Sequence, residues 1–110
     1  MPIKTPDARY IVVRGRLWRA ADPDLAQASR ERLVAQLMDA RRAVRDGKRQ
    51  GQTNLVADAR RRVDEAKRGL GERGPVWWSD GAPDYHRYLV KNTPYAAWYE
   101  SLPDDARVGS

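Results

Sequence analysis

Three residues of this chain could in principle do chemistry, and they lie close together. Asp80, Asp84 and His86 offer two carboxylates and the only imidazole of the sequence. Converging, they would supply oxygen and nitrogen ligands to a metal ion. His86 with a carboxylate partner would equally resemble a general base and its orienting group. Neither reading is favoured. Asp80 precedes Gly81 and suits a turn, Asp84 suits the first turn of a helix, and His86 then lies on that helix's surface. One histidine and no cysteine leave little to complete a metal site. No GxSxG elbow, P-loop or dinucleotide fingerprint occurs, and the glycines never take phosphate-cradle spacing. The sequence therefore assigns no catalytic residue, no metal ligand and no cofactor.

Binding chemistry is better represented. Val76 to Tyr99, VWWSDGAPDYHRYLVKNTPYAAWY, holds three of the four tryptophans and four of the five tyrosines. Such side chains belong in a core or on a contact surface. Trp77 and Trp78 are successive residues, so on a strand they would face opposite ways, one buried and one exposed. The exposed one, with Tyr85 and Tyr88 beside it, is the expected partner-binding surface, because tryptophan is enriched at binding hot spots.

Charge supplies the second candidate surface. The net charge is +6, and residues 25–74 carry thirteen basic against seven acidic groups. Many of those cations have acidic neighbours at helical spacing, such as Asp58 before Arg62, Asp64 before Arg68 and Arg61 before Glu65. Removing the paired residues leaves a basic tip of Arg41, Arg45, Lys48, Arg49 and Arg60. Clustered cations suffice for weak, salt-sensitive phosphate binding. Arginine outnumbers lysine seventeen to four, which also fits a coding bias, so arginine content alone is not taken as phosphate recognition.

The elements that must position these residues read as an α+β fold. RYIVVRGRLWRA, residues 9–20, is a β-hairpin pattern with Arg14-Gly15 as its two-residue turn. Leu17 and Trp18 fall on opposite faces. Asp22-Pro23 opens a helical region, with Asp22 as N-cap. A helix over about 27–47 follows from Leu33, Leu37, Ala40 and Val44. A second, over about 53–70, follows from Val56, Ala59, Val63, Ala66 and Leu70. A short connector bracketed by Gly47 and Gly51 makes them an antiparallel αα-hairpin over 27–70. Val76–Trp78 is expected as a third strand. Pro83 to Lys91 is expected as a helix, with Tyr85, Tyr88 and Leu89 on one side, forming a shallow groove with the exposed tryptophan. A last helix, 94–102, is started by Thr93-Pro94 and ended by Pro103. Residues 103–110 read as a frayed tail.

At 110 residues the chain fits one domain. The absence of cysteine excludes disulfides and fits a reducing compartment. No apolar run suggests a signal peptide or a membrane span. The expectation is a cytoplasmic protein with no membrane association.

The hairpin RYIVVRGRLWRA, the Ala/Arg-rich helix pair and the segment WWSDGAPDYHRYLVKNTPYAAWY together resemble a family of small uncharacterised bacterial proteins. Some of its members carry an automatic label as Tol-type biopolymer transporter components. The resemblance covers most of the chain. It implies a compact fold and brings no catalytic residue. The leading expectation is a non-catalytic interaction module with a protein partner. A nucleic-acid-binding protein is the alternative, and the oligomeric state is left open.

Overall fold

The computed structural model describes residues 3–107. They fall into two units, residues 3–21 together with 78–107, and Asp22–Trp77. The elements give an α+β fold, with the sheet in the first unit and a helical hairpin in the second.

In the sheet unit, three antiparallel strands run in the order β1 (Ile3–Lys4), β2 (Tyr10–Val13) and β3 (Arg16–Arg19). The Arg14-Gly15 turn joins β2 to β3. Both residues have positive φ, 53° and 75°, the type I′ geometry that matches strand twist. Tyr10 pairs with Arg19 and Val12 with Leu17, and all four side chains are buried. Ile11 opposes Trp18 on the other, half-exposed face. Period-two alternation thus places a charged residue, Arg19, in the core.

The third strand is not where the sequence suggested. Residues 76–78 form no strand, and β1 takes that role beside β2. Nor is there a helix over 83–91. This segment lies against β3: Leu17 N–H donates to Tyr88 O at 2.9 Å, and Arg87 N–H to Leu17 O at 2.7 Å. Val90 N–H donates to Gly15 O at 2.8 Å. Those bonds require extended backbone, and Arg87 at φ 73° breaks any helical path. Only Val90–Asn92 forms a short 3₁₀ turn.

The C-terminal helix α3 spans Ala96–Glu100, shorter than 94–102. Thr93 to Tyr95 make a turn in which the Thr93 hydroxyl accepts the Tyr95 N–H at 3.3 Å. Residues 104–107 are a 3₁₀ turn and not a frayed tail, and 108–110 of the expected tail lie outside the described residues.

In the helical unit, α1 spans Gln27–Arg49 and α2 spans Thr53–Leu70. Asp22 is not the N-cap of α1; its carboxylate accepts the Asp24 N–H at 2.9 Å in a preceding turn, and Ala26 takes the cap position. The helices pack along the expected seam. Leu37, Ala40, Ala59, Ala66 and Leu70 are buried, with Leu33, Val44, Val56 and Val63 half-buried. Small residues allow a close approach. A β-carbon on Gly47 would stand 2.9 Å from Val56 Cγ2, and one on Gly69 would stand 2.7 Å from Leu33 Cδ2. Residue 47 therefore lies level with 56, and 33 with 69. Gly71, at φ 89°, ends α2 in the left-handed conformation.

Candidate functional site

The aromatic segment forms a core more than a surface. Trp78 is 9% exposed, and its indole N–H donates to Ala82 O at 2.9 Å. Its ring meets Tyr10 edge-on, with centroids 5.8 Å apart, and the Arg9 guanidinium lies over it at 4.8 Å. Tyr10 also meets Tyr95, and Tyr95 meets Tyr85, in the same edge-to-face manner. Each such contact adds about 0.5–1.5 kcal/mol beyond burial.

Trp77 belongs to the other unit. It is half-buried, and its ring edge sits where a β-carbon on Gly71 would be, 2.9 Å away. Neither tryptophan stands free on a strand face, and the helix meant to wall the groove is absent. Of the four expected contact residues, Tyr85 and Tyr88 come together, at 5.6 Å between ring centres. Tyr88 is 52% exposed. The outer face of β3 adds a residue the sequence reading passed over. Trp18 is half-buried there, with His86 edge-on at 5.7 Å and Arg87 over it at 5.8 Å. Its strand position opposite Ile11 was the available signal.

Asp80, Asp84 and His86 each have structural work. Asp80 accepts the Ala82 N–H at 3.0 Å and pairs with Arg9, which holds its carboxyl below the usual range. Asp84 pairs with the buried Arg19 at 3.0 Å and accepts from Tyr10 Oη at 3.2 Å. His86 Nδ1 accepts the Arg19 backbone N–H at 2.9 Å, which places its ring proton on Nε2. Among the described residues, no three His, Cys, Asp or Glu side chains gather to hold a metal ion. Asp84 does not start a helix, because none forms there.

A second carboxylate network ties the loop after β1 to the C-terminal part. Asp7 accepts from Tyr95 Oη at 2.6 Å and from Thr5 Oγ1 at 2.7 Å. Burial raises the Asp7 carboxyl, but these hydroxyls and Arg9 outweigh it and hold it below its ordinary value. Burial and the bond to Asp7 raise the Tyr95 phenol. Burial pushes the Tyr10 phenol up to about 12.

The helical hairpin carries the more open surface. Arg41, Arg45, Lys48, Arg49 and Arg60 are all exposed. Arg49 lies 3.9 Å from Asp46, which removes it from the unpaired set. Among the described residues, the other four make no ion pair. The expected Asp58–Arg62 pair is replaced by Asp58 with Arg61, three residues on, while Asp64 pairs with Arg68 and with Arg73.

Two shallow hollows run along one side of the seam. The first, about 400 Å³, is lined by Arg41, Val44, Arg60, Val63 and Arg73. The second, about 390 Å³, continues past Arg60 to Lys48, Gln52, Thr53, Val56 and Ala57. No carboxylate lines either one. A third hollow of about 340 Å³ is lined by Gln36, Asp39, Arg62, Glu65 and Ala66, where two carboxylates face one arginine. One strip of the hairpin is thus basic with a valine floor.

No protein-family model matches the chain, and no curated protein or solved structure matches it significantly. Among the described residues, no helix is long and apolar enough to cross a membrane.

Proposed function

We propose that this protein is a non-catalytic cytoplasmic interaction module that holds another macromolecule on the basic strip of its helical hairpin. One observation carries the reading. Arg41, Arg45, Lys48 and Arg60 are exposed and without ion pairs among the described residues, and Arg41, Lys48 and Arg60 line hollows that no carboxylate lines. Cations left unneutralised by their own chain can attract an anionic partner and orient it. The lack of cysteine fits the compartment. The engagement of Asp80 and Asp84 by arginines supports the non-catalytic part.

A nucleic acid is the second reading, since the same four cations could contact phosphates. In either case the strip must matter and not merely the net charge. Two variants with equal charge separate these. One changes Arg41, Arg45, Lys48 and Arg60 to glutamine. The other changes Arg32, Arg42, Arg61 and Arg62. Retention on immobilised polyglutamate and on duplex DNA should fall sharply for the first variant only. Equal loss from both would reduce the binding to bulk charge and end the proposal.

A further inference from the structure

Resting on that reading, we infer that the occupant of the basic strip is an acidic amphipathic helix of a partner protein, laid along the α1–α2 seam.

The floor of the strip decides between partners. Val44, Val56 and Val63 are half-buried, and Ala57 is exposed between them and the connector. A phosphate backbone gains nothing from valine. An apolar stripe gains about 25 cal/mol for each Å² removed from water. The rim is Arg41 on α1 and Arg60 on α2, with Lys48 toward the connector. Because residue 47 lies level with 56, Arg60 stands level with position 43, between Arg41 and Arg45. Cations therefore border the floor from both helices. A helix with an apolar stripe flanked by glutamates or aspartates complements both features at once.

The dimensions agree. Thr53 to Val63 spans about 15 Å of helix at 1.5 Å per residue, enough for nearly three turns of a docked helix. Two helices with an alanine-rich seam bury few large side chains, and a third helix would cover the valines they leave half-open. A second copy of this chain is a poor occupant, because each copy presents the same uncompensated positive strip.

The test uses the full chain with ¹³C-labelled valine methyls and three probes. The first is an acetylated, amidated peptide of about 14 residues repeating Glu-Leu-Leu-Glu-Glu-Leu-Leu, which spans the strip. The second has serine for every leucine and the same charge. The third is a DNA duplex of about 20 base pairs. The leucine peptide should shift the Val44, Val56 and Val63 methyls and bind at least about tenfold more tightly than the serine peptide. Arg41→Glu with Arg60→Glu should weaken it by about tenfold or more. Equal affinity of the two peptides, or unmoved valine methyls, would overturn the inference. Binding of duplex without the leucine peptide would overturn it too, yet leave the macromolecule-binding reading standing. If neither the leucine peptide nor the duplex binds, both fall.

Discussion

The guanidinium of Arg19, a residue 2% exposed, meets the Asp84 carboxylate at 3.0 Å and so ties β3 to a loop 65 residues further along the chain. Strand alternation forces Arg19 inward opposite Tyr10, and Asp84 is the carboxylate that makes that burial tolerable. Asp84 also accepts from Tyr10 and from the His86 N–H, so one side chain organises three neighbours. Asp84→Ala should therefore destabilise the fold by roughly 1–3 kcal/mol, moderated by the partial exposure of the carboxylate. Urea denaturation measures this directly. A loss below about 0.5 kcal/mol would make the pair an idle surface contact.

Alkaline pH should loosen the same network. The Tyr10 phenol is raised to about 12 by burial against an unfolded value of 10.0. A raised value means the folded state holds the proton more firmly. The contribution is whole below pH 10 and is lost as pH rises toward 12, amounting to about 2–3 kcal/mol at two units. Tyr10→Phe should flatten that part of the stability profile. An unchanged slope between wild type and variant would assign the loss to other groups.

Acid should act through Asp7. Its carboxyl is held below 3.8, so its contribution is present above that value and disappears as pH falls through the folded one. Tyr95→Phe removes the shortest bond to it and should move the acid midpoint of unfolding upward. A midpoint that stays put would show that Thr5 and Arg9 suffice.

The helical seam makes a graded prediction. Leu37→Ala should cost about 2–5 kcal/mol, as a buried leucine on the packed face of α1. Gly47→Ala gains about 1 kcal/mol of helix propensity but drives a methyl into stiff, β-branched Val56. It should be net destabilising, by up to about 2 kcal/mol. Gly69→Ala meets Leu33 instead, which has rotamers to spare, and should cost less than Gly47→Ala. The reverse order in thermal melts would refute the close approach at Gly47.

The hairpin turn offers a stabilising change. Arg14 adopts φ 53° without being glycine or asparagine. Arg14→Asn should raise stability by roughly 0.5–1 kcal/mol, because asparagine tolerates that conformation better. A decrease would mean that the arginine side chain contributes where it stands.

Sequence pattern reached the parts of this fold governed by local rules. The seams over α1 and α2 and the Arg14-Gly15 turn follow from periodicity and φ preference, and all three are in place. What it missed was decided by distant partners. Tyr85, Tyr88 and Leu89 have helical spacing, yet the backbone of 87–90 bonds to β3 and the Tyr85 N–H to Tyr10 Oη at 2.7 Å. β1 has only two residues, too few to show alternation. The exposure of Arg41, Arg45, Lys48 and Arg60 followed from cation spacing along the helices, whereas Arg49 was counted as unpaired and lies beside Asp46, three residues before it. The valines beneath the basic strip were legible only as core, because the sequence does not say which side of a seam stays open.

The path of the chain through Asp22 and Trp77 has a consequence for how this protein can change. The Asp22 N–H donates to Leu70 O at 2.8 Å, and both Asp22 and Trp77 border the space that a β-carbon on Gly71 would take. The first and last residues of the helical unit are neighbours. Meanwhile 87–90 is bonded directly to β3 and to the Gly15 turn before it, so the two stretches of the sheet unit are joined by hydrogen bonds of their own. Such a hairpin is an exchangeable cassette. It can lengthen or shorten by whole helical turns, or be replaced by one with a different strip, while the sheet remains a constant chassis.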